Sequence, residues 1–299
     1  MMDSPHKTSV TLNSVLKEAV DTLSLNHIEQ ARLEAKLLLA HVLKLRKEDI
    51  IIRSDQELKH PQGEKFQQLV ERRCRKEPLA YIIGHREFWS LEFKVNPKVL
   101  IPRPETEGII ERLLNLAGDE AGKKTIRILD VGTGSGVLAI VSAVEIPKAQ
   151  VTAVDISDDA LEVARHNSFK HQVADRIEFL KMDLTHDWNL PQDSCYDFIL
   201  SNPPYIPSRE LERLMPDVRD FEPRAALDGG PDGLECYRCI VTKAFPYLKP
   251  GGHLIFEVGD DQAGPVKQSL QLHGGMDPIE IIQDLSGRDR VVSARRALG

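Results

Sequence analysis

The sequence predicts an α/β protein: an open, largely parallel sheet of seven strands, covered by helices on both faces and preceded by a small helical domain. Three observations carry this. From Thr125 onward, apolar strand-like runs alternate with helix-like runs, the rhythm of parallel strands joined by crossover helices. Residues 11–77 instead hold three stretches of helical periodicity. Between the two regions, Val99-Leu100-Ile101-Pro102-Arg103-Pro104 cannot be helical because of its prolines.

In chain order, Thr11–Leu25 places Leu12, Val15, Leu16, Ala19, Val20 and Leu23 on one helical face, and Ile28–Leu45 repeats the pattern. Pro61–Glu77 is a third helix, with proline near its start and Pro78 past its end. Arg86–Val95 changes to the alternation of a β-hairpin. Glu105–Ala117 is helical again. Strands are predicted at Thr125–Val131, Gln150–Asp155, Arg176–Met182, Tyr196–Ser201, His253–Val258, Ile279–Gln283 and Arg290–Arg295, the last two close enough for an antiparallel edge. Helices at Gly136–Glu145, Ser157–Lys170, Leu234–Tyr247 and Gln262–His273 fall between most of them. Asn202–Gly233 breaks the rhythm as a long connection with six prolines, and long loops of this kind are usually functional. The division is therefore 1–85 helical, 86–104 hairpin and linker, and 105–299 α/β.

The 299 residues fit about two domains. A content of 41% hydrophobic and 28% charged residues excludes a disordered, collagenous or disulfide-dense chain. The net charge of −7 argues against binding nucleic acid through the whole surface. Residues 1–96 carry a net +2 and residues 97–299 a net −9, which assigns the two parts different partners. Four cysteines make no disulfide framework, and Cys236 and Cys239 read as structural residues one helical turn apart. The ten histidines lack zinc-ligand spacing, so no metal is expected. No apolar run is long enough to span a membrane, and Met1–Leu16 has no signal-peptide pattern, so a cytoplasmic protein is expected. A monomer is the default.

Four motifs carry chemistry. In Ile128-Leu129-Asp130-Val131-Gly132-Thr133-Gly134-Ser135-Gly136, an apolar strand runs through a glycine turn into a helix, letting a ligand approach the main chain. The spacing is G-x-G-x-G, with Val137 where a dinucleotide fingerprint has its third glycine. Asp155, 23 residues after Gly132, can accept hydrogen bonds from ribose hydroxyls, and Asp183 from an adenine amino group; either could alternatively be a cap or turn former. Asn202-Pro203-Pro204-Tyr205 follows the fourth strand, at the sheet edge where a ligand on the glycine turn would lie. Arg72, Arg73, Arg75 and Lys76 form a basic cluster that reads either as a docking patch or as a solvated helix face.

The glycine turn, Asp155 and Asn202-Pro203-Pro204-Tyr205 resemble class I S-adenosylmethionine-dependent methyltransferases, whose seven-stranded sheet is Rossmann-like. Asn-Pro-Pro-Tyr marks those acting on planar amide or exocyclic amino nitrogens. Glu77-Pro78-Leu79-Ala80-Tyr81-Ile82-Ile83-Gly84, Phe88-Trp89, Pro102-Arg103-Pro104-Glu105-Thr106-Glu107, Glu222–Gly230, Asp232-Gly233-Leu234 and Phe256-Glu257-Val258-Gly259 are similar to the release factor glutamine N5-methyltransferase (PrmC/HemK) family. That resemblance implies methyl transfer from S-adenosyl-L-methionine, leaving S-adenosyl-L-homocysteine, to the glutamine of the Gly-Gly-Gln loop of class 1 release factors. It implies that domain 1–85 docks the substrate and that 105–299 is the methyltransferase domain. It puts cofactor contacts at Gly132, Thr133, Gly134, Ser135, Gly136, Asp155, Asp183, Leu184 and Asn202, with Leu184 against adenine. Asn202, Pro203, Pro204 and Tyr205 hold the substrate amide, with Arg103 and Glu105 at its entrance. The alternatives are a ribosomal-protein glutamine methyltransferase, a DNA adenine N6-methyltransferase and a non-catalytic binder. An acidic catalytic region without a basic DNA channel speaks against the DNA enzyme, and no stable nucleic-acid binding is expected.

Overall fold

The computed structural model describes residues 10–118, 122–186, 188, 190 and 195–298. Residues 1–9, part of the segment read for targeting signals and for the 1–85 domain, lie outside the described residues. The chain divides into two units, Met1–Gly84 and His85–Gly299.

The first unit contains α1 (Leu12–Leu25), α2 (Ala31–Leu43), α3 (Lys47–Ile52), α4 (His60–Cys74) and α5 (Leu79–Ile83). Thr11 caps α1 reciprocally: its hydroxyl accepts from the Ser14 N–H, and its own N–H donates to Ser14 Oγ. Leu12, Leu23, Leu38, Leu39, Ile50, Phe66 and Ile82 form the core. Two short helices, α3 and α5, join the three predicted ones; neither is long enough to display periodicity in sequence. Three members of the basic cluster are engaged in ion pairs and hydrogen bonds rather than free in solvent. Arg73 is 8% exposed and forks onto Glu34, with Nε 2.5 Å from Oε2. Arg72 pairs with Glu77, and Lys76 donates to the carbonyls of Asn26 and His27. Arg73 and Lys76 fasten the end of α4 to α2 and to the α1–α2 turn, whereas Arg72 pairs locally; Arg75 alone of the four is exposed.

In the second unit, β1 (His85–Phe88) and β2 (Leu91–Lys94) form the hairpin. Its central residues Trp89 and Ser90 both have positive φ, 52° and 58°, the pattern of a type I′ turn, which is strained for non-glycine residues. Glu107 holds the strained turn by accepting from the Trp89 N–H, and Glu145 accepts from its indole. Residues 86–104, read as a hairpin and linker, thus belong to the second unit: Phe88 and Phe93 lie in its core, with Trp89 packed against them.

The sheet comprises β3 (Ile126–Val131), β4 (Ala149–Asp155), β5 (Ile177–Lys181), β6 (Tyr196–Ser201), β7 (Leu248–Glu257), β8 (Met276–Gln283) and β9 (Asp289–Arg296). Its order is β5-β4-β3-β6-β7-β9-β8, parallel except where β9 inserts antiparallel between β7 and β8. The sheet is the seven-stranded, mostly parallel one predicted. Strand residues alternate between two apolar faces. Ile128 and Leu200 pack with α6 (Glu107–Ala117) and α7 (Val137–Glu145). Leu129, Ile199 and Phe256 pack with α10 (Glu235–Ala244) and α11 (Ala263–His273), and the short α9 (Pro216–Arg219) lies in the long connection before α10. Among the described residues, no helix is long and apolar enough to cross a membrane.

Asn167, on α8 (Asp158–Lys170), joins three parts of this unit. Its Oδ1 accepts from the Lys94 N–H at 2.8 Å, while Nδ2 donates to the carbonyls of Lys94 and Ser135. The residue is fully buried. Asn167→Ala leaves three main-chain groups unmet and is expected to cost about 3 kcal/mol. Urea denaturation followed by tryptophan fluorescence checks this, since Trp89 and Trp188 both lie in the second unit; an unchanged midpoint would reject it.

Candidate active site

The strand order reverses between β3 and β6, so chain leaving these neighbouring strands diverges and opens a crevice at their C-terminal ends. The glycine turn follows β3 and Asn202 follows β6. Ser201 Oγ donates to the Val131 carbonyl at 2.7 Å, tying the two strand ends where both motifs begin. A cavity of about 40 Å³ is lined by Leu100, Arg103, Gly132, Thr133, Ser135 and Asn202, among others. The turn and Asn202 therefore share one space.

The glycines have the conformations the motif predicts, with φ of +78°, +55° and +87° at Gly132, Gly134 and Gly136. A Cβ added at Gly132 or Gly134 would meet nothing within 4 Å, so both face open space. At Gly136 it would lie 2.9 Å from Ile140 Cδ1 and 3.1 Å from Ala164 Cβ, so this glycine serves close packing of the turn on α7 and α8. The turn spends its N–H groups internally. Gly132 and Thr133 donate to the Val154 carbonyl, Gly136 to that of Thr133, and Gly134 to Asp155 Oδ2 at 2.8 Å. Asp130 accepts from Thr133 Oγ1 and the Ala139 N–H, while its Oδ1 is buried without a hydrogen-bond partner. Burial pushes its carboxyl up to about 7, against the pull of those two hydrogen bonds. The sequence offered these amides to a ligand; the structure commits several of them to acidic side chains and carbonyls. Such a turn suits a cationic or neutral ligand better than a pyrophosphate.

Asp155 ends β4, and burial raises its pKa. Each of its oxygens accepts one main-chain N–H, from Gly134 and Ser157, which leaves lone pairs for a further donor. Asp183 accepts from the N–H and hydroxyl of Thr185 and pairs with His186 at 3.0 Å, and the Thr185 hydroxyl bond leads in lowering its pKa. Leu184 is half-buried against the core on the α10 side.

Asn202 Nδ2 donates to Thr106 Oγ1 at 3.0 Å, and Thr106 donates to Glu257 Oε2 at 2.6 Å. Tyr205 OH lies 3.5 Å from Glu257 Oε1. Burial and the nearby Glu257 raise the Tyr205 pKa. Arg103 lines the cavity and donates to the buried Glu222 at 2.5 Å, and Glu222 also accepts from the Ile101 N–H. Glu105 is exposed and does not line that cavity. Three of these residues, Thr106, Glu222 and Glu257, had no individual role in the sequence reading. Their one sequence signal was an acidic or hydroxyl residue within an otherwise apolar or proline-rich motif.

The long connection after β6 folds back onto Asn202-Pro203-Pro204-Tyr205. Ile206 N–H donates to the Leu227 carbonyl, and Gly229 N–H to that of Ile206. A Cβ at Gly229 would fall 2.7 Å from Tyr205 Cα and 2.8 Å from the Pro204 oxygen. Only glycine allows this approach.

Two family models match the chain: the PrmC N-terminal domain over residues 14–84 and the methyltransferase small domain over residues 112–215. A release factor glutamine methyltransferase of Rhodopirellula baltica is 37% identical over 298 residues, covering 99% of this chain and 100% of its own. One from Moorella thermoacetica is 41% identical over 287 residues, covering 96% and 99%. This chain belongs to the release factor glutamine methyltransferase family. The sequence resemblance is thereby borne out over nearly the full length. In fold, the chain is similar to a solved methyltransferase from Pyrococcus furiosus, with a TM-score of 0.52 at 19% identity over 76% of this chain and 98% of that one. Cys236 and Cys239 are free and half-buried on α10, and burial pushes the Cys236 thiol up to about 11. Among the described residues, no group of three or more His, Cys, Asp or Glu is placed to hold a metal ion.

Positive φ alone costs an alanine about 1–2 kcal/mol. Gly136→Ala adds the clash with Ile140 and Ala164 and is expected to destabilise clearly more than Gly134→Ala, as read from urea midpoints. Equal losses would reject the packing role. Asp130 gives a second expectation. Its carboxyl is raised on folding, so its stabilising contribution is full below about pH 4 and is lost as pH rises to about 7. The stability of the protein relative to Asp130→Asn should therefore fall across that window, by at most about 1.4 kcal/mol per pH unit. A difference that is flat from pH 5 to pH 8 would contradict it.

Proposed function

We infer that this protein transfers a methyl group from S-adenosyl-L-methionine to the side-chain amide nitrogen of the Gly-Gly-Gln glutamine in class 1 peptide chain release factors. The observation that carries this reading is the cavity lined by both the glycine turn and Asn202. The substrate follows from relatives matched along nearly their whole length, first unit included, whose names specify release factor glutamine. Ribosomal-protein and DNA substrates lack that support.

The residues present fit S-adenosylmethionine. Gly132 and Gly134 face open space, Asp155 keeps lone pairs for ribose hydroxyls, and Asp183 and Leu184 are proposed to border adenine. The acidic side chains braced under the turn favour a cation over an anion. When bound, this group supplies a methyl on a strongly electrophilic sulfonium.

An amide nitrogen is a weak nucleophile because its lone pair is delocalised into the carbonyl. Asn202 Oδ1 and the Pro203 carbonyl can each accept one amide hydrogen, which fixes the nitrogen and aims its lone pair. Positive charge develops on that nitrogen during transfer, so preorganised acceptors bind the transition state better than the ground state. Pro203 and Pro204 stiffen these acceptors, and Tyr205 is proposed to stack on the flat amide. Arg103, held by Glu222, and the exposed Glu105 are proposed to border the entrance. No strong general base is required, since an N-alkylated amide cation is very acidic. The first unit is proposed to dock the release factor. A monomer is proposed, and a translation-factor substrate supports a cytoplasmic location.

A purified class 1 release factor incubated with the protein and S-adenosylmethionine should gain one methyl group on the Gly-Gly-Gln glutamine, seen by mass spectrometry. Asn202→Ala should lower that rate at least about 100-fold, far more than it weakens cofactor binding. An unmodified glutamine in the presence of a cofactor-binding protein would refute the substrate assignment.

A further inference from the structure

Asn202 can serve as an acceptor only if its amide oxygen, not its nitrogen, faces the substrate. Nothing in the side chain itself enforces this, because the two ends of an amide are nearly the same shape. The orientation is set by what lies behind it. Thr106 Oγ1 is 3.0 Å from Asn202 Nδ2 and 2.6 Å from Glu257 Oε2. A hydroxyl has one proton to give. When Glu257 is ionised, that proton goes to the carboxylate, and Thr106 can only accept from Asn202. Both are buried: Thr106 is 2% exposed and Glu257 1%.

We propose that Thr106 and Glu257 are positioning residues whose one-way hydrogen-bond relay turns Nδ2 of Asn202 inward and Oδ1 toward the substrate amide. This rests on the reading of Asn202 given above. The three residues come from separate elements: the turn entering α6, the end of β6 and the end of β7. A merely packed interior would be served as well by apolar side chains of the same shape, without the cost of burying a carboxylate.

The relay has a polarity, and it reverses on protonation. A neutral Glu257 becomes the donor to Thr106, which frees the threonine proton and favours an inverted Asn202 with its oxygen inward. The groups facing Glu257 are known. Tyr205 OH lies near Oε1, and Tyr237 OH on α10 donates to its main-chain carbonyl at 2.9 Å. Arg290 on β9, itself paired with Asp260 at 2.6 Å, and Arg103 favour the carboxylate, whereas Glu105 opposes it. Burial outweighs these and pushes the carboxyl up to about 7.

The test measures kcat and KM of the full-length protein on a class 1 release factor from pH 5.5 to pH 9, with cofactor binding and thermal unfolding as controls. Thr106→Val should lower kcat about tenfold or more with cofactor affinity unchanged, and Thr106→Ser should restore it. The wild-type kcat should fall on the acid side of about pH 7, and this limb should vanish in Glu257→Gln. Asn202→Ala separates the two readings. If it stays active, the assignment of Asn202 fails and the relay with it. If it is inactive while Thr106→Val keeps the wild-type kcat and profile, the relay alone is overturned. Should Thr106→Val not fold, a folded Glu257→Gln that retains the acid limb overturns it equally.

Discussion

The site depends on the reversal of strand order between β3 and β6. At every other parallel pair the chain winds onward in one direction, and the loops at the strand ends follow one another. At β3 and β6 they part, so loops separated by some 70 residues of sequence open onto the same crevice. The Ser201–Val131 hydrogen bond, buried at 2.7 Å, holds the two ends in register at that point. A glycine turn alone makes a ligand-approachable surface, and an Asn-Pro-Pro-Tyr run alone makes a stiff bend. Their shared cavity exists because the topology sets them side by side.

Acidic side chains then hold the crevice in shape. Asp130 and Asp155 bind the glycine turn, Glu222 binds Ile101 and Arg103, and Glu257 receives Thr106. Desolvation raises all four carboxyls toward the neutral form. Hydrogen bonds to main chain, hydroxyl and guanidinium offset that cost. The result is a site rich in acceptors, which matches a reaction that brings positive charge to it and gives no role to a strong base.

The sequence made much of this legible because the information was local. The glycine turn follows from three glycines after an apolar strand, and the helices of the α/β region from periodicity. What stayed hidden was long-range. Thr106 meets Glu257 across 151 residues, and Asn167 meets Lys94 across 73. No spacing rule reaches that far. Two members of the basic cluster show the same limit: Arg73 finds Glu34 at a separation of 39 residues and Lys76 finds Asn26 at 50. Cations adjacent in sequence look alike until the distant partners of Arg73 and Lys76 are placed.

Proline stiffness does not by itself explain why Asn202-Pro203-Pro204-Tyr205 can act as a preorganised acceptor set. Prolines fix their own φ but not the direction in which the segment leaves the sheet. That direction is imposed from outside. Gly229 packs against the Pro204 oxygen and Tyr205 Cα, Gly233 against the Tyr205 oxygen, and Gln262 Nε2 donates to that same oxygen at 2.8 Å. Ile206 is joined to Asp228 by an isolated parallel β-bridge. The long connection is therefore the back wall of the bend rather than slack chain. Its glycines are required because any Cβ at 229 or 233 would collide with the main chain of the motif. An error of about 1 Å in the position of reacting groups is enough to forfeit much of the benefit of alignment. The glycines and the prolines thus perform one task from opposite sides: one set fixes the bend, and the other fixes where it stands.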